Sequence, residues 1–280
     1  LFHIKMRKIL LLSIIILFTS AVQQDLSEPI DLWHWKLELP TGSKASDWKL
    51  SNYEKDYFAK PFFRLDQLSN ELVMDAYPSK GSSKSKYTRN TLREQIQPGS
   101  NDVNWTMKEE GILNAEFRVT SVSKNSLGEY HRIVLLQVDG RTTQKQTRQL
   151  GLKKPMSMPM IKIYWQDGFL RVTRRVLKDE GTVGDALLSK SSWKEDRGVF
   201  SEHKVDFNAT KVSLSCKRGK VTVQINEEPL IVFRDLSVSQ WYFENYFTVG
   251  NYLQSKEPNC FSSVAYSKID VSHAKLKYKP

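Results

Sequence analysis

The sequence predicts an all-β fold, two antiparallel sheets stacked face to face as a sandwich, and three observations predict it. Apolar and polar residues alternate with period two through many short segments, the repeat of strands with one buried and one wet face. Turn signals rich in Gly, Asn, Asp and Pro recur at close intervals between those segments. Helical periodicity is scarce, and Asp185 to Trp193 is the best short candidate. Many short strands with frequent turns and no internal repeat read as a single β-jelly-roll sandwich.

Taken in order, the chain opens on Met6-Arg-Lys8, an apolar run from Ile9 to Phe18, and Thr19-Ser20-Ala21. Those are the charged, apolar and small-residue parts of a secretory signal. Leu1 to Lys5 stand upstream as an extension, and the apolar run is short for a membrane span. The reading is therefore a signal over residues 1–21 and one domain over 22–280. Leu32 to Pro40 alternates and ends in a Pro-Thr-Gly turn, giving a first strand. Ser43 to Asp66 is mixed, Glu71 to Tyr77 is a short strand, and Pro78 to Ser85 is a polar loop.

Lys86 to Ile96 follows as a strand with Arg89, Thr91, Arg93 and Gln95 on one face and Asn90, Leu92, Glu94 and Ile96 on the other. Its two arginines lie roughly 13 Å apart at about 3.3 Å per residue, near the length of a few sugar units. Guanidinium forks match carboxylates bidentately, so such a face suits an extended polyanion. A charge-protected edge strand would look the same.

Leu113 to Val119 alternates, and Ile133 to Asp139 is an apolar run that turns polar where a central strand would open into a cleft. Two hairpins follow, Met160–Trp165 with Phe169–Val176 around Gln-Asp-Gly, and Val212–Cys216 with Val221–Ile225 around Lys-Arg-Gly. Tyr246 to Gln254 and Ser263 to Tyr278 supply the last strands.

Charge narrows the partner. Against 31 acidic residues stand 42 Lys and Arg, a net charge of +11, which favours a polyanion. The excess is dispersed rather than gathered into a basic block, and the export signal also disfavours nucleic acid. Cys216 and Cys260 are the two cysteines; they could pair in an exported protein, or stay buried thiols. No Cys/His cluster points to zinc.

Four places could carry chemistry: the arginine strand, Gln137 with Asp139, Lys162 with Tyr164, and the shared face of Tyr246, Thr248, Gly250, Tyr252 and Gln254. Gly250 would clear space for a ligand or another backbone. His34, His203 and His273 show no partner and read as structural or exposed.

Trp35-Lys-Leu-Glu-Leu-Pro40, Arg89-Asn-Thr-Leu-Arg-Glu94, Gln137-Val-Asp139 and Tyr246-Phe-Thr-Val-Gly-Asn-Tyr-Leu-Gln254 stand in order across nearly the whole mature chain. The set resembles the alginate lyases of polysaccharide lyase family 7, whose motifs are Arg-(Ser/Thr)-Glu-Leu-Arg, Gln-(Ile/Val)-His and Tyr-Phe-Lys-Ala-Gly-x-Tyr-Asn-Gln. The resemblance implies a concanavalin-like jelly roll with a concave groove for an acidic polysaccharide. It also implies β-elimination at a uronate, with no metal or other cofactor. Arg93 and Gln137 would hold the carboxylate, Arg89 the same or an adjacent one, and Tyr252 would be the acid. Lys162, Tyr164, Tyr246 and Gln254 would line the groove.

The departures bear on mechanism. Asp139 stands where the family has His, Thr91 where it has Glu, Thr248-Val249 for Lys-Ala, and Leu253 for Asn. A carboxylate among arginines is expected to have a lowered pKa and to be a weak base, or to serve as a salt-bridge partner of Arg89 or Arg93. His131 lies too far along the strand to replace it. In mannuronate and glucuronate the C5 hydrogen and O4 leave from one side, so Tyr252 alone could serve as base and acid. The expectation is a secreted monomer acting on mannuronate-type blocks, with glucuronan or ulvan as other polymers and a non-catalytic binder as the alternative class.

Overall fold

The computed structural model describes residues 30–39, 61–66, 68–78 and 87–274. The signal segment, most of Ser43–Asp66 and most of the loop before Tyr87 lie outside them. In chain order the strands are β1 (Trp35–Glu38), β2 (Phe63–Asp66), β3 (Glu71–Ala76), β4 (Arg89–Glu94), β5 (Gly111–Val122), β6 (Ile133–Arg141), β7 (Ser157–Gln166) and β8 (Phe169–Leu177). They continue with β9 (Trp193–Glu195), β10 (Val199–Phe200), β11 (Thr210–Lys217), β12 (Lys220–Ile225), β13 (Ile231–Phe233), β14 (Glu244–Leu253) and β15 (Ser262–His273). Two short helices, α1 (Gln144–Gln149) and α2 (Leu236–Ser239), punctuate them.

The strands form two antiparallel sheets. One runs β1-β4-β14-β6-β7-β8-β10, with β9 also paired to β8; the other runs β13-β12-β11-β5-β15-β3-β2. Alternation drives this arrangement. Leu113, Ala115, Phe117 and Val119 of β5 and Val212, Leu214 and Cys216 of β11 point from the second sheet into the core. Leu92, Leu136, Val138, Ile161, Ile163, Phe247 and Val249 meet them from the first.

Both predicted hairpins are present, and their turns explain the sequence signal. Asp167 and Gly168 adopt φ of 52° and 85°, and Arg218 and Gly219 adopt 45° and 73°. Two consecutive positive φ values make the I′-type turn that matches strand twist. The arginine strand is not an edge: β4 lies between β1 and β14. The helical candidate is instead two 3₁₀ turns, 184–188 and 190–192. Helix α1 is not among the predicted elements, although Thr143 and Gln146 form a capping box at its start. Cys216 and Cys260 are both buried free thiols.

Buried polar side chains fix the first sheet over the second. Asn251 donates to the carbonyls of Met74 and Ser262, both at 2.9 Å. Asn90 does the same for Phe62 and Asp75. Tyr266 OH donates to Gly250 O at 2.8 Å and Leu135 O at 3.1 Å, holding the bulge where β14 shifts register against β6. Glu94 accepts from Trp105 Nε1 at 3.0 Å and Phe247 N at 2.9 Å, and bonds the His273 ring at 2.6 Å. His273 therefore has a partner that sequence alone did not reveal.

Candidate active site

The open face of the first sheet carries the residues singled out by sequence. Because inward positions of β4 and β14 are taken by Asn90, Leu92, Glu94, Phe247, Val249, Asn251 and Leu253, the alternate residues face out. Register then aligns them across strands. Arg93 lies opposite Thr248, Thr248 opposite Gln137, and Gln137 opposite Lys162. A second row sets Arg89 opposite Tyr252, and a third sets Tyr246 opposite Asp139.

Asp139 sits in the floor of this face, 6% exposed. Its Oδ2 accepts from Gln137 Nε2 at 2.9 Å and from Thr248 Oγ1 at 2.7 Å. Burial pushes its carboxyl above the usual range, against the pull of the Thr248 hydrogen bond, the Arg89 charge and the Gln137 hydrogen bond. This reverses the expected direction, because desolvation outweighs the nearby arginine. Nor does Asp139 make a salt bridge with either arginine among the described residues.

Arg89 instead pairs with Glu38 and donates to Thr91 Oγ1 from Nε at 3.1 Å and Nη2 at 2.9 Å. Its guanidinium carbon stands 5.5 Å from the Tyr252 ring centroid. Its charge also reaches Asp139. Arg93 turns the other way. Its Nη1 donates to the Glu94 carbonyl at 2.9 Å and Asn101 Oδ1 at 3.0 Å, and its Nη2 to Asn101 O at 3.2 Å and Asn104 Oδ1 at 2.8 Å. The guanidinium lies 3.8 Å from the Tyr246 centroid. Tyr246 OH meets Ser157 Oγ at 2.9 Å, and burial pushes its phenol up to about 12.

Tyr252 is half-buried and edge-on to Tyr87, with ring centroids 6.3 Å apart. Gln254 Nε2 folds back to the Tyr252 carbonyl at 3.0 Å. Gly250 answers the question its position raised: a Cβ there would stand 2.4 Å from Asn90 O and 2.7 Å from Thr91 Cα. The glycine admits another backbone rather than a ligand.

Lys162 and Tyr164 form a closed cluster with Glu195. Lys162 Nζ donates to Glu195 Oε2 at 2.5 Å and to Tyr164 OH at 3.0 Å, and Tyr164 OH donates to Glu195 Oε1 at 3.0 Å. Burial opposes charge on both members of the pair, but mutual attraction wins: the lysine is held above and Glu195 below its usual range.

Four residues escaped sequence reading. Glu38 shares a strand face with Lys36, and alternation could have placed it there. Glu195, Asn101 and Asn104 reach the site from loops and a three-residue strand that carry no periodic signal. His131 lies beyond the opposite end of β6 from Asp139, its Nε2 3.4 Å from Glu257 Oε2. His34 Nδ1 faces the Gln95 carbonyl at 3.1 Å, and His203 is exposed. No group of three potential metal ligands occurs among the described residues.

This assembly of cations, amides and phenols on one sheet face can hold a chain of carboxylated sugars and move protons beside it. Comparison with known proteins agrees with that chemistry. A family model described as alginate lyase matches residues 30–273. The fold is similar to the crystal structure of alginate lyase A1-II′, a member of polysaccharide lyase family 7, with TM-score 0.66, 21% identity, and coverage of 89% of this chain and 98% of that one. It is similar also to alginate lyase PA1167 from Pseudomonas aeruginosa, with TM-score 0.61, 17% identity and coverage of 87% and 99%. A third, the alginate lyase from Corynebacterium sp., gives TM-score 0.58, 16% identity and coverage of 88% and 96%. A search of curated proteins by sequence finds no match. The chain belongs to the alginate lyase family, polysaccharide lyase family 7.

Proposed function

We propose that the protein cleaves alginate by β-elimination, preferring mannuronate-type blocks, with Tyr252 as the proton-transferring residue. The observation that supports this most directly is the placement of the Arg89 guanidinium 5.5 Å from the Tyr252 ring centroid on the open sheet face. Removing the C5 proton places negative charge beside a carboxylate. Fixed positive charge and amide donors lower that cost because they are already oriented. Arg89 supplies positive charge beside Tyr252. Arg93, clamped by Asn101 and Asn104, adds a field that needs no reorganisation. Gln137 offers its amide to the uronate carboxylate, and Asp139 is the positioning residue that orients that amide.

In the reaction Tyr252, as phenolate, takes the C5 proton. The C5 electron pair forms the C4–C5 double bond, the C4–O4 bond breaks, and the phenol returns the proton to O4. One residue suffices where both groups leave from the same side, as in mannuronate. Asp139 shares Oδ2 with two donors and is assigned no proton transfer. The same groove would admit glucuronan or ulvan as the alternative polymer. The basic n-region and apolar run at Met6–Phe18 support export, and no helix among the described residues is long and apolar enough to cross a membrane.

The test is the ultraviolet absorbance of unsaturated uronate on polymannuronate, polyguluronate, glucuronan and ulvan, with Tyr252→Phe beside the parent. The expected result is a rise on polymannuronate that falls by about 10²- to 10⁴-fold in the variant, the usual worth of acid–base catalysis. Strong cleavage of pure polyguluronate, or an active Tyr252→Phe, would overturn the assignment. A flat trace on every polymer with binding retained would identify a binding module instead.

A further inference from the structure

Most cations named above are already engaged. Arg89 is paired with Glu38, Lys162 with Glu195, and the terminal nitrogens of Arg93 are bonded to the Asn101–Asn104 loop and the Glu94 carbonyl. Arg132 differs. It precedes β6 by one residue and is exposed, and among the described residues no carboxylate lies within salt-bridge distance of its side chain. Its place on the open face follows from one side-chain contact and from the strand register. The guanidinium carbon stands 5.9 Å from the ring centroid of Tyr164, whose hydroxyl is fixed by Lys162 and Glu195. Two residues along the strand, Val134 lies opposite both Tyr252 and Tyr164. The backbone carbonyl of Arg132 accepts from Gln254 N at 2.8 Å, which ties its position to the end of β14.

The geometry points to Arg132 as a substrate-binding residue that holds the carboxylate of a uronate next to the one being cleaved. This rests on the lyase reading above and extends it. Arg132 is about 7 Å along the strand from the level of Tyr252, at roughly 3.3 Å per residue, within reach of a neighbouring sugar. A planar guanidinium can grip a carboxylate through two parallel hydrogen bonds while its other face rests on an aromatic ring. An arginine with no internal counter-ion gives up no existing salt bridge to do so. Arg89 and Lys162, by contrast, must share their donors with Glu38 and Glu195. The protein thus reserves an exposed guanidinium for the polymer beside a set of cations whose charge is largely balanced internally.

The test uses defined oligomannuronates and two backgrounds. In otherwise unaltered protein, Arg132→Gln should raise KM for polymannuronate about tenfold, keep kcat within about twofold, and weaken the dependence of KM on salt. Arg132→Lys should recover part of the loss, because charge remains while the fork is lost. In the Tyr252→Phe background, calorimetric binding of a tetramer should weaken by the same factor on adding Arg132→Gln. Equal affinity with and without that change, or no tetramer binding in either protein, would overturn the proposal. Failure of the parent protein to cleave polymannuronate would refute the lyase reading separately, since the binding experiment does not depend on turnover.

Discussion

Replacing Asp139 with Asn separates the two roles a carboxylate could have here. The substitution keeps shape and leaves a carbonyl oxygen able to accept from Thr248 Oγ1 and Gln137 Nε2, now at 2.7 Å and 2.9 Å from Oδ2. What changes is charge. Where the carboxyl is ionised, each of these bonds weakens from the charge-assisted class to the neutral one, a loss of about 1 kcal/mol apiece. If Asp139 only orients Gln137 and Thr248, the two together cost at most about 2 kcal/mol, or about 30-fold in kcat at 1.36 kcal/mol per tenfold. If Asp139 is instead the base, the loss is about 10²- to 10⁴-fold and the acid limb of the rate profile vanishes with it. Stability should move the other way. The folded-state pKa of Asp139 is raised, so the protonated form is favoured by folding. That contribution is fully present below the unfolded pKa and is lost as pH rises through the folded one. Above the folded-state pKa the ionised side chain is a burden that Asn removes. Thermal unfolding should show the stability of Asp139→Asn relative to the parent rising with pH through the folded-state pKa and shrinking in acid. Steady-state rates on polymannuronate across pH, beside these melts, make the assay. A kcat loss beyond about 10³-fold with an unchanged melting temperature would refute the positioning role.

Two further outcomes are expected. Gly250→Ala should destabilise the fold by about 3 kcal/mol, the upper range for forced overpacking. The new Cβ meets backbone at 2.4 Å and 2.7 Å, and φ there is 148°; a denaturant midpoint unchanged from the parent would contradict this. Glu195→Gln should release Lys162, lowering KM for polyuronate several-fold while costing no more than about 1 kcal/mol of stability. The small cost follows because the pair is partly open to water, 19% and 32% exposed. A KM that stays fixed would show that Lys162 does not meet the polymer.

How much of this was legible depends on the range of the interaction. Period-two alternation found the strands that carry the site, and Asp-Gly and Arg-Gly dipeptides located both hairpins, because these signals are local. Alternation also placed Arg89, Arg93, Tyr246 and Tyr252 on one face correctly. It could not show that Arg93 would bend toward Asn101 and Asn104, since a loop's path is set by the fold. Nor could it show that Glu195, from a three-residue strand, would reach Lys162. The Asp139 shift was misread for a related reason: the neighbouring charge was visible in the motif, whereas the burial that outweighs it is a property of the closed sheet. Asp185–Trp193 does not form one helix because Ser189 is extended and splits the segment into two turns.

The three departures at Thr91, Thr248 and Asp139 make one physical change rather than three. Thr91 lies opposite Gly250 on β14, where Thr248 stands two residues away, and Thr248 bonds Asp139 across to β6. Against the family motif, two threonines in place of a Glu and a Lys remove one charge of each sign and leave the net charge unaltered between them, while Asp139 in place of His adds a carboxyl. The hydroxyls then do what charges would otherwise do: Thr91 accepts from Arg89, and Thr248 donates to Asp139. A carboxylate held this way, with its pKa raised by burial, carries less opposing field toward a polyanion than an exposed one would. The consequence is that Asp139 and Thr248 should be coupled. Thr248→Val on top of Asp139→Asn should cost less in kcat than Thr248→Val alone, because a neutral amide tolerates the lost donor far better than a buried carboxylate does. Equal costs in both backgrounds would mean that the hydroxyl and the carboxylate act independently.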